Sequence, residues 1–125
     1  MSRCRRCAPV PEEVRRAADL LERRWLLQIV YAAHSGATRF NEFRYALGED
    51  IPPRTLAARL SELEQAGLLR RTVVEDARPP RVEYSLTEQG ENLRALLHAL
   101  REWAEAAGAS VGEDRRAIVI TAASE

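Results

Sequence analysis

The stretch IPPRTLAARLSELEQAGLLRRTVVEDARPPRVEYSLT, residues 51–87, changes its hydrophobic period part-way along, and that change decides the fold. Its first half carries Leu56, Leu60 and Leu63 at i, i+4 and i+7, the spacing that lines one face of a helix. Pro53 suits the first helical position, where a missing N–H costs nothing, and Gly67 suits the stop. The spacing predicts a helix over Pro53–Ala66. From Leu69 to Val74 the chain turns β-branched, and Val82, Tyr84 and Leu86 then alternate with Arg81, Glu83 and Ser85. Between these runs, Glu75–Pro80 is polar and holds two prolines that a central strand would not accept. The segment therefore reads as a helix followed by a hairpin with a charged tip.

Upstream, Val14, Ala17, Ala18 and Leu21 fall on one helical face. Trp25, Leu26, Ile29, Val30 and Ala33 form a second stripe, with Gly36 as its stop. Ala37–Phe40 is long enough only for a connecting strand. Asn41 reads as an N-cap, with Glu42 in the first turn and Phe40 stapled onto Tyr45, for a helix ending at Gly48. Only a few residues separate that helix from Pro53, so the two must pack at a sharp angle. Downstream, Thr87 caps a long helix whose stripe is Leu93, Leu96, Leu97, Leu100, Trp103 and Ala107, with Gly108 as its end. The whole is a mainly α fold with a small β hairpin, a winged helix-turn-helix. Residues 1–11 read as a flexible arm, 12–108 as the domain, and 109–125 as a tail with a short strand at Ala117–Thr121.

The 125 residues suffice for one domain. No apolar run is long enough to span a membrane, and no secretion signal is read, so the expected location is the cytoplasm. Nineteen basic residues, all arginine, balance nineteen acidic ones, but unevenly. Residues 1–82 hold fifteen arginines and eleven acids, a net of +4, and residues 83–125 hold four and eight, a net of −4. A basic face on one part of the fold suits a polyanion. No hydrolase elbow, P-loop or dinucleotide fingerprint is present, and the residues define no catalytic set and no cofactor.

In the 53–66 helix, Arg54, Thr55, Ala58, Arg59 and Glu62 lie away from the leucine stripe. A helix fits the major groove, its N-terminal turns reach base edges, and arginine can bridge guanine O6 and N7. The hairpin tip carries Arg78, with Arg81 beyond it; arginine at such a wing can lie in the minor groove. Adjacent Arg70 and Arg71 must point to opposite faces of a strand. The last helix, together with Leu20 and Leu21, holds more apolar surface than so small a core can bury, which points to a two-fold dimer through the first and last helices. Cys4-Arg5-Arg6-Cys7 leaves three readings open: incidental, redox-responsive through arginine-activated thiols, or half of a zinc site whose other half is missing. His34 reads as a helix-end residue and His98 as an edge of the apolar stripe.

From Val14 to Trp103 the chain resembles the HxlR-type winged helix-turn-helix regulators of bacteria, relatives of the MarR group. The likeness is carried by Leu20–Trp25, Thr38–Phe43, Ile51–Leu56, Arg59–Glu64, Gly67–Arg71, Gly90 and, most specifically, Pro79–Thr87. Three departures stand out. Glu22-Arg23-Arg24 replaces Gly-Gly-Lys and is expected to run on as continuous helix; Pro52 replaces a capping serine; and Glu12 stands where many members carry a cysteine. The resemblance implies a homodimer that binds double-stranded DNA and regulates transcription, with a reading helix at Pro53–Ala66 and a wing at Val74–Arg81. Pro53, Arg54, Thr55, Ala58 and Arg59 would face the major groove, while Arg39, Arg44, Arg78 and Arg81 would meet phosphates or the minor groove. Val14, Ala17, Leu20, Leu21, Leu96, Leu97, Leu100 and Trp103 would form the dimer interface. Two alternatives stand beside this reading: a winged-helix module that binds protein, and a thiol- or metal-responsive sensor using Cys4 and Cys7. A small-molecule or redox effector is left open, as is repression against activation.

Overall fold

In the computed structural model, residues 7–107 are described together with the backbone of residues 109–111 and 118–120. The helices are α1 (Glu12–Leu21), α2 (Leu26–His34), α3 (Phe40–Ala46), α4 (Pro53–Gln65), α5 (Glu88–Glu91) and α6 (Arg94–Ala106). The strands are β1 (Leu69–Val74), β2 (Arg81–Leu86), β3 (Ala109–Val111) and β4 (Ile118–Ile120). β1 and β2 form an antiparallel hairpin running from Leu69 opposite Leu86 to Val74 opposite Arg81. This is the mainly helical winged architecture that the sequence pattern predicts.

The core gathers on α4. Leu56, Leu60 and Leu63 are fully buried against Leu26, Ile29 and Val30 of α2 and Phe43 of α3. No polar or charged residue is buried among the described residues, so the domain rests on apolar contact. Phe43 also meets Tyr84 of β2 edge to face, with ring centroids 6.3 Å apart. Beside this contact the Tyr84 amide donates to the Thr38 carbonyl at 2.8 Å. One aromatic pair thus ties β2 to α3, and one backbone bond ties it to the segment that leads into α3.

Four expectations are corrected. Glu22-Arg23-Arg24 do not continue the helix: α1 stops at Leu21, and Trp25 takes a left-handed backbone with φ 76° before α2 begins. At 100° per residue, one continuous helix would set Leu20 and Leu21 opposite Leu26, Ile29 and Val30. Both groups pack on one core only if the helix breaks. A non-glycine residue in this conformation costs about 1–3 kcal/mol, which the packing around it must offset. Secondly, Asn41 is not the N-cap. α3 starts at Phe40, and Glu42 Oε1 accepts from the amides of Thr38 (2.8 Å) and Arg39 (3.1 Å). Phe40 packs on the core, while Tyr45 is 79% exposed, so no staple joins them.

Thirdly, the helix after Thr87 is two pieces. The Thr87 hydroxyl accepts the Gly90 amide at 3.1 Å and caps α5, and Asn92–Leu93 form a turn before α6. Fourthly, Leu97 is only 3% exposed and belongs to the core, not to an open interface. The expected tail strand does find a partner: β4 pairs with β3, Val111 opposite Ile118. Ala117, Thr121 and Gly108 lie outside the described residues, as do residues 1–6.

Gly90 sits where α5 presses on the chain between α4 and β1. A Cβ there would collide with the Leu68 carbonyl oxygen and crowd Leu86. The same carbonyl accepts the Thr87 amide at 3.1 Å, so it cannot easily move away. Gly90→Ala is therefore expected to lower unfolding free energy by roughly 1–3 kcal/mol, the usual cost of overpacking. Urea unfolding followed by circular dichroism measures this, and an unchanged midpoint would contradict the assigned contact.

Candidate nucleic-acid interface

Burial of Leu56, Leu60 and Leu63 turns the opposite side of α4 to solvent. Arg54, Ala57, Ala58 and Ser61 are all exposed along that side, and none is acidic. Thr55 is half-buried. The first turn of α4 has no acidic residue, and Pro52 at the N-cap offers its amides no side-chain cap. The partial positive charge of those amides and the guanidinium of Arg54 reinforce one another. Pro53 at the first helical position removes one of the donors, as the sequence implies.

The arginines divide into two sets. Among the described residues, Arg15, Arg16, Arg24, Arg44, Arg54, Arg70, Arg71 and Arg78 form no salt bridge, and all of these but Arg44 are exposed. Arg78 stands at the wing tip, and Arg44 Nε on α3 is buried without a hydrogen-bond partner among the described residues. In the other set, Arg81 Nε lies 2.8 Å from Glu83 Oε2 and Arg39 Nε lies 3.9 Å from the same oxygen. Glu83, opposite Thr72 in the middle of the hairpin, draws two cations from different elements together. Such half-exposed pairs are worth at most about 1 kcal/mol, so a phosphate can compete for either arginine.

Arg59 departs most from its predicted role. Its Nε donates to the Arg24 carbonyl at 2.8 Å, and its terminal nitrogen pairs with Glu62 at 3.0 Å. Glu62 also receives Arg23 at 2.9 Å. The guanidinium of Arg59 is engaged on the flank of α4 and is not extended with Arg54 toward a groove. A cleft of about 330 Å³ adjoins it, lined by Arg24, Trp25, Asp50, Pro52, Thr55 and Arg59. Sequence reading missed Glu62 and Glu83 as anchors, although an Arg-x-x-Glu spacing on a helix and an Arg-x-Glu spacing in a strand do place such pairs side by side. It also passed over Ser61 and Ala57, which complete the outer row of α4.

The terminal helices keep much of their apolar surface open. α1 buries no residue, and Val14 is 51% exposed. On α6, Leu96, Leu100 and Trp103 are 45%, 42% and 57% exposed at i, i+4 and i+7. Ala17 is exposed too, whereas Leu20 and Leu21 pack partly against the core. His34 Nε2 lies 3.0 Å from the Gly90 carbonyl, and His98 pairs with Glu102. Cys7 is disulfide-bonded, and Cys4 lies outside the described residues. Among the described residues no group of three or more potential ligands could hold a metal, and no helix is long and apolar enough to cross a membrane.

A short-turn helix pair whose second helix exposes the row Arg54, Ala57, Ala58 and Ser61, next to a hairpin bearing arginine, is the arrangement of a winged helix. Residues 20–111 match the family described as HxlR-like helix-turn-helix, and the chain belongs to it. It is similar to the HTH-type transcriptional regulator YvaP of Bacillus subtilis, with 39% identity over 89 residues, 71% of this chain and 81% of YvaP. Its fold is similar to the transcriptional regulator YodB of B. subtilis in reduced form, with a TM-score of 0.67 and 33% identity over 78% of this chain and 93% of YodB. It is also similar to the redox regulator HypR in its reduced form, with a TM-score of 0.68 and 37% identity over 75% of this chain and 91% of HypR. The chain is a DNA-binding transcriptional regulator.

Two carboxyls in this framework are held below their ordinary value of 4.5. The amides of Thr38 and then Arg39 lower Glu42, and the Arg23 guanidinium paired with it lowers Glu62 against its own desolvation. A carboxyl lowered in the folded state adds stability above its unfolded pKa, and that stability is lost as pH falls through the folded value. The thermal midpoint is therefore expected to drop on acidification below about pH 4.5. Glu42→Gln should shrink that drop while lowering the midpoint at pH 7; equal slopes in the two proteins would contradict the cap.

Proposed function

We propose that the protein acts in the cytoplasm as a homodimeric, sequence-specific repressor, with α4 in the major groove and the wing along the backbone or minor groove. The observation that carries this reading is the outer row of α4, where an unpaired arginine and three small residues stand without a carboxylate. Arg54 supplies the forked donor that suits guanine O6 and N7. Ala57 and Ala58 let the helix backbone come close and offer methyls to thymine, and the hydroxyl of Ser61 extends the row. Thr55 and Pro53 line the entry of the helix. Arg78 at the tip, Arg44, and the pair Arg39 and Arg81 held by Glu83 serve the phosphates and the minor groove.

The exposed stripe Leu96, Leu100 and Trp103, with Val14 and Ala17 of α1, forms the two-fold interface in this reading. Joined that way, two reading helices can sit roughly 34 Å apart, one turn of the duplex. Leu97 takes no part, and Leu20 and Leu21 contribute only their outer edges. Repression follows from occupying a promoter-proximal site, and no catalytic step is involved.

A second reading concerns the arm. Cys7 is disulfide-bonded, and HypR is by its description a redox regulator. An oxidant-sensitive protein would bind DNA differently with its cysteines reduced and oxidised. Replacing Cys4 and Cys7 with serine would abolish that difference and leave the affinity of the reduced protein unchanged.

The main reading is tested by fluorescence anisotropy on a duplex enriched by the wild-type protein from a random pool. Arg54→Ala should weaken binding about 10–100-fold and relax preference at one base pair per half-site. Arg78→Ala should weaken binding to all sequences alike and lower the salt slope by about one. Leu100→Glu should yield monomers in analytical ultracentrifugation and lose cooperative binding to the full site. A wild-type protein without sequence preference would overturn the reading.

A further inference from the structure

α4 is held in the domain by one apolar stripe, Leu56, Leu60 and Leu63. Such a stripe fixes the depth of a helix better than its roll, because apolar contact is not directional. Directional contacts on the flank must set the roll, and here they come from the α1–α2 turn. Arg59 Nε donates to the Arg24 carbonyl at 2.8 Å, its terminal nitrogen meets Glu62 at 3.0 Å, and Arg23 meets the other oxygen of Glu62 at 2.9 Å. Two of these three contacts cross from the turn to α4. The third locks the α4 residues to each other.

We propose that Arg59, Glu62 and Arg23 form a latch through which the α1–α2 turn sets the roll of the DNA-reading helix, so that Arg59 is a positioning residue and not a reader of bases. The inference rests on the reading of α4 as the recognition element. The fork of Arg59 serves the latch because its planar donors reach a carbonyl and a carboxylate at once, which a lysine ammonium on its flexible stem does not do in the same geometry. The turn it grips is itself unusual: Trp25 has a left-handed backbone, and the Arg24 guanidinium lies 4.9 Å from the centre of its ring. A cleft lined by Arg24, Trp25, Pro52 and Thr55 adjoins Arg59 between the turn and the start of α4. Because α1 feeds this turn, a change in the position of α1 reaches the roll of α4 through these three side chains.

Electrostatics alone and the latch predict opposite signs for one variant. Glu62 is an acid on the reading helix, so Glu62→Gln would tighten binding to every DNA if charge were all that mattered. The latch requires that Glu62→Gln weaken binding to the enriched duplex about 10-fold while binding to random duplex stays equal or tightens. Arg59→Ala and Arg59→Lys should give the same loss, and the double variant Arg59→Ala/Glu62→Gln should lose no more than either single one. Arg23→Gln, at a half-exposed side chain, provides a milder variant should the others fold poorly, with a smaller loss of the same kind. The losses should be spread over the half-site, not confined to one base pair.

The experiment is anisotropy titration of these full-length variants, with circular dichroism melts alongside. Tighter binding of Glu62→Gln to all DNA, or a loss in Arg59→Ala confined to one base pair, would overturn the latch and return Arg59 to base readout. Failure of the recognition reading would look different, because the wild type itself would then show no preference and Arg54→Ala would change nothing.

Discussion

Leu56, Leu60 and Leu63 leave the water together, and the rest of the molecule is arranged around their doing so. Each is fully buried, and together they commit one side of α4 to the core of α2 and α3. The side left over is then settled by helical geometry: Arg54, Ala57, Ala58 and Ser61. Because no polar residue is buried among the described residues, nothing in the core competes with this placement. The wing inherits its position from the same packing, since β1 follows α4 after the short Ala66–Leu68 turn and Tyr84 bonds back to Thr38.

The charges show a second layer of organisation. Where an arginine serves the shape of the protein, an acid stands beside it: Glu62 for Arg23 and Arg59, Glu83 for Arg39 and Arg81. Arg54 and Arg78 have no such partner among the described residues, and both stand on the surface that faces DNA in the proposed reading. A formal net charge of zero is therefore compatible with DNA binding, because acids here hold side chains in place as well as balancing them.

Much of this was legible in the sequence. The leucine spacing, Pro53, Gly67 and the change of period fix α4 and the hairpin, and those lie within a residue of their predicted bounds. The exposed apolar stripe of α6 was legible as a surplus of apolar residues but not as a division between Leu97 inside and Leu96, Leu100 and Trp103 outside. Its phase depends on the turn at Asn92 and Leu93, which carries no proline and no signal beyond Gly90. Trp25 was hidden for a related reason: a left-handed tryptophan follows from two stripes sharing one core, not from its own preference. Arg59 looked like a reader because spacing places it off the leucine stripe. What it meets there is the carbonyl of Arg24, thirty-five positions earlier in the chain, and no local pattern announces that.

The hairpin has one further property. β2 uses its outer edge for the bond to Thr38, but among the described residues β1 has β2 as its only strand neighbour. A row of amides and carbonyls on Leu69–Val74, in a run ending in Thr72, Val73 and Val74, is a template onto which a stray strand can add. Arg70 and Arg71 sit at the start of that edge, exposed on its two faces and unpaired by acids among the described residues. Two such edges meeting would set four guanidiniums against each other. The charge that makes the wing attractive to a polyanion thus also guards it against self-association into larger sheets, and losing it would show first as poor solubility.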